Sequence, residues 1–292
     1  MRLQGCLTAL VTPFRGGQID HAALAELVER QIAAGINGLV PCGSTGEAAT
    51  LTHDEHVEVV RAVVRVTRGR VPVVAGSGSN STAEAIRLTR GAEEAGADAA
   101  LLISPYYNKP TQAGIVQHFK AVAAATKLPL IFYNIPGRTM SNLTAETQVE
   151  LSRVKNLAGV KEASGSMSQI QDVIAGAGPD FLMFAGDDQM TLPTVAAGGH
   201  GAIAVTSNVA PKEMTEIVDA LLANDLPTAR ARYYALLPLI RALNTLEVNP
   251  LPVKTALAMM GLCTEEFRLP LTPMSPGPRA ALETVLRERR LV

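Results

Sequence analysis

The segment "LAGVKEASG", residues 157–165, has the small and apolar character of a buried strand but carries a lysine at its centre. Alternate side chains of a strand point to opposite faces, so Gly159, Lys161 and Ala163 share one face and Glu162 points to the other. Strands that are apolar on both faces are typical of parallel sheets covered by helices. The segment therefore predicts an inner strand in which small neighbours leave space around a lysine amine.

Eight β-rich runs of this kind alternate with amphipathic helical patterns along most of the chain. The runs begin at residues 6, 38, 71, 99, 128, 157, 181 and 201. The helical patterns lie at about 21–35, 53–69, 82–95, 111–125, 144–153, 168–175, 189–197 and 211–223. Eight strand-helix units predict an α/β protein with a closed (β/α)₈ barrel, a TIM barrel. A doubly wound open sheet is the competing topology.

The alternation stops after Asp225, and the remaining sequence is helical in pattern at 227–244, 251–262 and 278–290. The sequence therefore predicts a barrel catalytic domain at residues 1–225 and a C-terminal helical appendage at residues 226–292. A chain of 292 residues need not contain two independent domains, because single α/β barrels commonly reach about 250 residues or more.

The composition predicts no nucleic-acid or membrane partner. A net charge of −1 provides no basic surface, and no apolar run approaches the roughly 18 residues of a membrane span. The three cysteines, Cys6, Cys42 and Cys263, are odd in number and lie in apolar surroundings. They indicate reduced, buried thiols and a cytoplasmic protein. A catalytic cysteine is disfavoured because it needs a partner base that the sequence does not indicate.

In a (β/α)₈ barrel the working residues lie at the carboxyl ends of the strands, which directs attention to Lys161. Burial among apolar residues favours the neutral amine, and a neutral amine attacks a carbonyl to form a Schiff base. The alternative is a structural lysine paired with a buried carboxylate such as Glu162. The strand alone leaves both interpretations open.

The segment "FYNIPGRT", residues 132–139, contains two polar side chains at the end of the neighbouring strand and in the loop after it. Tyr133 lies one strand from Lys161 and is placed to pass a proton to or from an imine carbon. Arg138 follows in the loop, where a guanidinium can hold a carboxylate with two parallel bonds. A core tyrosine with a satisfied hydroxyl and a surface arginine are the alternatives.

The turn "GSTGE" begins at Gly43, just past the second strand. Its backbone N–H groups and two hydroxyls suit a small carboxylate, although a tight turn that caps the next helix is the plainer interpretation. His53 and His56 in "HDEH" match no zinc-protease spacing, and the neighbours Asp187 and Asp188 point to opposite faces of a strand. No metal site is predicted, and a structural or capping role is favoured for the two aspartates.

Four motifs together resemble one known family. They are "GSTGE" at 43–47, "SPYYNKPTQ" at 104–112, "FYNIPGRT" at 132–139 and "GVKEASG" at 159–165. In this order and at these separations they resemble the dihydrodipicolinate synthase family, part of the pyruvate-dependent class I aldolases that also include N-acetylneuraminate lyase. The likeness covers essentially the whole chain and includes "NPLPVK" at 249–254.

The resemblance implies catalysis without a cofactor, through a covalent imine between Lys161 and pyruvate. Tyr133 matches the family's proton donor and acceptor, with Ser44 and Tyr107 in its proton relay. The family usually has threonine where this chain has Ser44, and serine keeps the hydroxyl with a freer χ1. The tyrosine at position 107 reaches a neighbouring subunit in the family, which implies an oligomer, with a homotetramer built as a dimer of dimers expected.

The resemblance also implies the substrate contacts. Thr45 matches the contact to the pyruvate carboxylate, and the backbone around Gly186 and Ile203 lines the pocket. Arg138 matches the residue that holds the carboxylate of L-aspartate 4-semialdehyde, and it separates this branch from the sialate lyases. Inhibition by L-lysine is a further hypothesis, in which Ala48 replaces a common serine. The positions that match the inhibitor site are Ala49, His53, His56, Asn80, Glu84 and Tyr106.

The leading hypothesis is an enzyme that makes 4-hydroxy-tetrahydrodipicolinate in lysine and diaminopimelate biosynthesis. A close alternative keeps the imine chemistry but uses another aldehyde, in the manner of a sialate or keto-sugar acid lyase. Alternatives of another class are a non-catalytic barrel that binds a keto acid and a metal-dependent aldolase. The non-catalytic barrel is disfavoured because the reactive side chains remain. The metal-dependent aldolase is disfavoured because no set of metal ligands is evident.

Overall fold

The structure is a computed structural model that describes residues 3–292. Within these residues eight strands form one parallel sheet and two short strands form a hairpin. The strands in chain order are β1 (Gly5–Ala9), β2 (Phe14–Arg15), β3 (Gln18–Ile19), β4 (Gly38–Val40), β5 (Val74–Gly76), β6 (Ala99–Ile103), β7 (Leu130–Asn134), β8 (Leu157–Glu162), β9 (Leu182–Ala185) and β10 (Gly201–Ala204).

The parallel sheet closes on itself. Its strand order is β4-β1-β10-β9-β8-β7-β6-β5, so every strand neighbours the next barrel strand of the chain. A parallel bridge between Leu39 and Val73 joins the two ends, and Leu39 N donates a hydrogen bond to Pro72 O at 2.9 Å. The predicted (β/α)₈ barrel is therefore confirmed, and the open doubly wound sheet is wrong.

Twelve α-helices are described between residues 3 and 292. They are α1 (His21–Ala33), α2 (His53–Thr67), α3 (Thr82–Glu94), α4 (Gln112–Ala124), α5 (Pro136–Thr139), α6 (Ala145–Leu151), α7 (Met167–Ala177), α8 (Thr191–Ala196), α9 (Pro211–Leu222), α10 (Leu226–Thr245), α11 (Leu251–Met259) and α12 (Pro276–Glu288). The short helix α5 and the β2–β3 hairpin were not predicted. The pattern at 189–197 corresponds to a 3₁₀ turn at 188–190 followed by α8.

Local sequence determines where the first helices begin. Asp20 caps α1 by accepting a hydrogen bond from Ala23 N at 3.0 Å. Thr52 and Glu55 form a capping box at the start of α2, because each side chain accepts a hydrogen bond from the other residue's backbone N–H. These caps fix the loops that follow strands β1 and β4 at the carboxyl end of the barrel.

The apolar core has an inner and an outer part. Inside the barrel, side chains such as Leu7, Ile131 and Phe184 fill the space between the strands. The outer part lies between strands and helices and includes Leu236 of α10 and Leu282 of α12. The C-terminal helices thus share a core with the barrel, which confirms the predicted appendage. The division at residue 225 stays a prediction.

No helix described between residues 3 and 292 combines the length and the apolar character that crossing a membrane requires.

Candidate active site

Lys161 lies inside the barrel on β8, in register with Tyr133 of β7 and Phe184 of β9. The residue is only 5% exposed, and its Nζ lies 4.4 Å from the centre of the Tyr133 ring. No carboxylate lies within 4.0 Å of this amine in the described part of the chain. Lys161 is therefore a buried amine beside a phenol, without an ion-pair partner.

The surroundings of Lys161 favour its neutral form. Burial lowers the pKa of Lys161 to about 8, and the positive charge of Arg138 acts in the same direction. The carboxylates of Asp188 and Asp187 oppose this shift. About a tenth of the amine is consequently unprotonated at pH 7, far more than for an exposed lysine, and this neutral form is the attacking nucleophile.

Glu162, the sequence-based candidate for a lysine partner, points away from the barrel interior. Its carboxylate accepts hydrogen bonds from Ser164 N and Gln148 Nε2, each at 2.7 Å. Gln169 Nε2 donates to it at 3.0 Å and Asn134 Nδ2 at 3.1 Å. These donors satisfy the buried carboxylate, so the structure contains no Lys161–Glu162 ion pair.

A cavity of about 190 Å³ opens above Lys161 at the carboxyl end of the barrel. It brings together six of the predicted residues: Ser44, Thr45, Tyr133, Arg138, Lys161 and Gly186. A Cβ at Gly186 would lie 2.9 Å from both Lys161 Cγ and Ala163 Cβ. Glycine is therefore required at position 186 to leave room for the lysine side chain.

Tyr133 and Ser44 supply two hydroxyl groups to this cavity. Burial raises the pKa of the Tyr133 phenol, which keeps it protonated and able to donate a proton. Ser44 is partly buried, and its Oγ forms no hydrogen bond with another group among residues 3–292. Both hydroxyls are therefore available to a ligand.

Asn249 connects the two candidate carboxylate-binding side chains. Its Nδ2 donates a hydrogen bond to Thr45 Oγ1 at 3.0 Å, and Arg138 Nη2 donates one to its main-chain oxygen at 2.8 Å. Sequence reasoning assigned Asn249 no role, although its motif "NPLPVK" contributed to the family resemblance. The contact to Thr45 spans 204 residues, which local patterns do not predict.

The aspartates 187 and 188 have different surroundings. Asp188 is buried and accepts hydrogen bonds from Val205 N at 3.1 Å and Thr206 N at 2.6 Å, which is the expected structural role. Asp187 accepts one from Gln189 N at 2.9 Å and also lines the cavity. Burial raises the pKa of Asp187. No cluster of three or more metal-ligating side chains occurs among the described residues.

A larger cavity of about 430 Å³ adjoins the first and shares Ser44, Tyr133 and Arg138 with it. Five of the predicted inhibitor-site residues line it: Ala49, His53, His56, Glu84 and Tyr106. Asn80 does not line it, and its main-chain oxygen accepts a hydrogen bond from Asn108 Nδ2 at 2.9 Å.

The two histidines of this larger cavity differ in their contacts. His53 Nε2 lies 2.6 Å from Glu84 Oε1, whose other oxygen accepts a short hydrogen bond from Ser79. Burial and the nearby His53 lower the pKa of His56 to about 4, so His56 is neutral at physiological pH. The cavity therefore presents the Glu84 carboxylate beside a neutral imidazole, and its other carboxylate, Glu47, is paired with Lys254.

Comparison with known proteins identifies the family. The family model of the dihydrodipicolinate synthetase family matches residues 2–289. This chain belongs to the dihydrodipicolinate synthetase family. A relative from Nitratidesulfovibrio vulgaris, strain Miyazaki F, is named 4-hydroxy-tetrahydrodipicolinate synthase and is 52% identical over 293 residues, which cover 100% of both chains.

Two solved structures of the family are similar throughout the fold. The chloride-inhibited dihydrodipicolinate synthase from Acinetobacter baumannii, complexed with pyruvate, is 42% identical with a TM-score of 0.97 and covers 100% of both chains. The enzyme from Cyanidioschyzon merolae with lysine bound is 37% identical with a TM-score of 0.96 and covers 99% of both chains. The family predicted from the sequence is thus confirmed.

Two residues that the dihydrodipicolinate synthetase family resemblance placed at the site lie outside the cavity of the single chain. Tyr107 is 87% exposed in the loop after β6, with a left-handed backbone at φ 71°, and lines neither cavity. Ile203 is fully buried in the barrel interior, and Val205 lines the cavity instead. The predicted roles of Tyr107 and of the backbone around Ile203 stay predictions.

Proposed function

We propose that this chain is a 4-hydroxy-tetrahydrodipicolinate synthase that condenses pyruvate with L-aspartate 4-semialdehyde in lysine and diaminopimelate biosynthesis. The observation that carries the proposal is the buried, unpaired amine of Lys161 at the base of a cavity that Arg138 and Thr45 also line. Full-length relatives with this enzyme name support the same conclusion.

The first half of the proposed reaction forms a nucleophile on the enzyme. The neutral Lys161 amine attacks the ketone carbon of pyruvate, and loss of one water gives the imine. The protonated imine withdraws electrons from the methyl carbon, which loses a proton to give an enamine. Tyr133 passes the protons, with the Ser44 hydroxyl beside it, while Thr45 holds the pyruvate carboxylate.

The second half joins the two substrates. The enamine carbon attacks the aldehyde of the semialdehyde, whose carboxylate is held by Arg138. The amine of the semialdehyde then attacks the imine carbon and displaces Lys161 as the ring closes. Pyruvate and the semialdehyde thus give one cyclic product and one water, and the lysine is regenerated. The lysine supplies the electron sink, so the proposed reaction needs no cofactor.

The proposed assembly is a cytoplasmic homotetramer in which Tyr107 of one subunit completes the proton relay of its neighbour. Two observations support it: an aromatic side chain that is 87% exposed beside the mouth of the barrel, and three cysteines without a disulfide among residues 3–292.

L-lysine is the proposed inhibitor, bound in the larger cavity. The carboxylate of Glu84 is suited to an ammonium group there, and the related enzyme from Cyanidioschyzon merolae has lysine bound. We expect millimolar L-lysine to lower the rate, measured as initial velocity, and Glu84→Gln to weaken this inhibition. An unchanged rate together with no lysine binding by calorimetry would remove the assignment.

The function is tested by intact-mass spectrometry after cyanoborohydride reduction with pyruvate, followed by product analysis by NMR. We expect one reduced pyruvate adduct at Lys161, no adduct in Lys161→Ala, and condensation with aspartate semialdehyde. Absence of an adduct in the unmodified enzyme would exclude the imine mechanism. Condensation only with sugar aldehydes would assign the chain to the sialate or keto-sugar acid lyases.

A further inference from the structure

The segment that begins at Asn249 contacts both sides of the proposed substrate cavity. The Asn249 side chain donates a hydrogen bond to Thr45 Oγ1 at 3.0 Å, and its main-chain oxygen accepts one from Arg138 at 2.8 Å. On the basis of the proposed function, we propose that Asn249 is a positioning residue which orients the Thr45 hydroxyl toward the carboxylate of pyruvate.

The direction of the hydrogen bond carries this inference. Because Asn249 Nδ2 is the donor, Thr45 Oγ1 acts as the acceptor and keeps its own hydrogen free. A hydroxyl that accepts one hydrogen bond still has its own hydrogen to donate, and Thr45 lines the cavity. The amide therefore leaves Thr45 as a hydrogen-bond donor for an incoming anion.

A buried ion pair holds Asn249 in place relative to Thr45. Lys254, five residues after Asn249, donates to Glu47 Oε1 at 2.6 Å, and Glu47 lies two residues after Thr45. Both side chains of this pair are 0% exposed. The turn and the segment at 249–254 are thus joined at two points, which fixes the approach of the amide to the hydroxyl.

The test compares Asn249→Ala with the nearly isosteric Asn249→Asp, using pyruvate half-saturation in reductive trapping. In Asn249→Ala we expect the pyruvate concentration for half-maximal trapping to rise about five- to tenfold, the effect of one lost hydrogen bond. We expect kcat and the semialdehyde KM to change little. The semialdehyde is spared because Arg138 contacts the main chain of residue 249. Thr245→Ala, which removes an exposed hydroxyl from the end of α10, is the matched control.

In Asn249→Asp we expect the pyruvate concentration for half-maximal trapping to rise more than in Asn249→Ala. A carboxylate only accepts hydrogen bonds, so the Thr45 hydroxyl would donate to it and be lost to pyruvate. The added carboxylate also repels the pyruvate anion by its charge, so the double-mutant cycle below, and not the size of this rise, separates positioning from repulsion. Trapping that is unchanged in Asn249→Asp would overturn the inference. The near-identical shape keeps the test valid even where the alanine variant fails to fold.

A double-mutant cycle separates this inference from the proposed function. In a Thr45→Val background we expect Asn249→Ala to change pyruvate half-saturation by less than about twofold, because the shared hydrogen bond is already gone. Independent, multiplying effects would overturn the role of Asn249. Failure to trap pyruvate in the unmodified enzyme would instead refute the proposed function.

Discussion

Lys161 lies among charges that act on its pKa in opposite directions. Burial and Arg138 lower the pKa to about 8, whereas the two aspartates raise it. Below this pKa the ammonium form dominates and cannot attack a ketone. We therefore expect kcat/KM for pyruvate to increase about tenfold per pH unit in acid and to level off above about pH 8, measured by steady-state initial rates across pH.

Asp187→Asn provides a matched test of this electrostatic balance. Asparagine keeps an oxygen that accepts from Gln189 N but removes a negative charge that favours the ammonium of Lys161. The midpoint of the pH profile should therefore move to lower pH. A midpoint that stays in place or rises would show that Asp187 does not act on the lysine through its charge.

The residues within the strands were the most predictable part of the site. Period-two alternation grouped Lys161 with the small residues Gly159 and Ala163, and the order of strands in a (β/α)₈ barrel placed Tyr133 on the neighbouring strand. Whether Lys161 forms an ion pair was not predictable, since the strand alone left a pair with Glu162 open. The hydrogen bonds from Gln148, Gln169, Asn134 and Ser164 N show that Glu162 is satisfied elsewhere.

At the scale of elements, the regular units were predictable and the irregular ones were not. All eight barrel strands were predicted, because each is an apolar run between helical patterns. The β2–β3 hairpin and α5 have only two residues per strand and four residues, respectively, which is too short for a periodic pattern. The role of Asn249 depends on contacts between distant segments and has no local signal.

The end of β9 passes close to the lysine strand, which leads to a prediction for Gly186→Ala. The added methyl group would lie 2.9 Å from Lys161 Cγ and 3.0 Å from Glu162 O, so the lysine or the backbone must shift. We expect a loss of about 1–3 kcal/mol in the free energy of unfolding and at least about a tenfold loss in kcat/KM. Urea denaturation and steady-state kinetics measure the two effects.

Gly277→Ala is the control for this substitution. Its added Cβ has no atom within 4 Å, and Gly277 lies in the first turn of α12, far along the chain from the barrel strands. Stability should change by no more than about 1 kcal/mol, because alanine before Pro278 is disfavoured in a helical turn, and activity should stay at that of the unmodified protein. Equal losses in the two variants would mean that the close contact at Gly186 is not the cause.

At the scale of the whole molecule, the ion pair between Glu47 and Lys254 joins the barrel to the C-terminal helices. Burial lowers the pKa of Lys254, whose Nζ also lies 4.1 Å from the centre of the Phe14 ring. Lys254→Met would leave the buried Glu47 without its cation and should lower the free energy of unfolding by about 3–5 kcal/mol. Adding Glu47→Gln should restore part of that loss, as measured by urea denaturation; a further additive loss would contradict the coupling.

The single chain leaves Tyr107 87% exposed at the mouth of the barrel, although the proposed proton relay requires its hydroxyl beside Tyr133. An oligomer meets this requirement if the Tyr107 hydroxyl of each subunit lies in the active site of its neighbour. Lys161→Ala and Tyr107→Phe should each be strongly impaired alone, because one lacks the amine and the other lacks the relay hydroxyl. In a heterodimer of the two, the subunit with the intact lysine receives the intact tyrosine of its partner.

Random exchange of equal amounts of these two variants should therefore restore about a quarter of the unmodified activity, since half of the dimers are mixed and each mixed dimer has one complete site. Activity is measured before and after exchange, and exchange of each variant with itself is the control. Activity that stays at the average of the two parents, with mixed dimers demonstrated by mass spectrometry, would place the function of Tyr107 within its own chain.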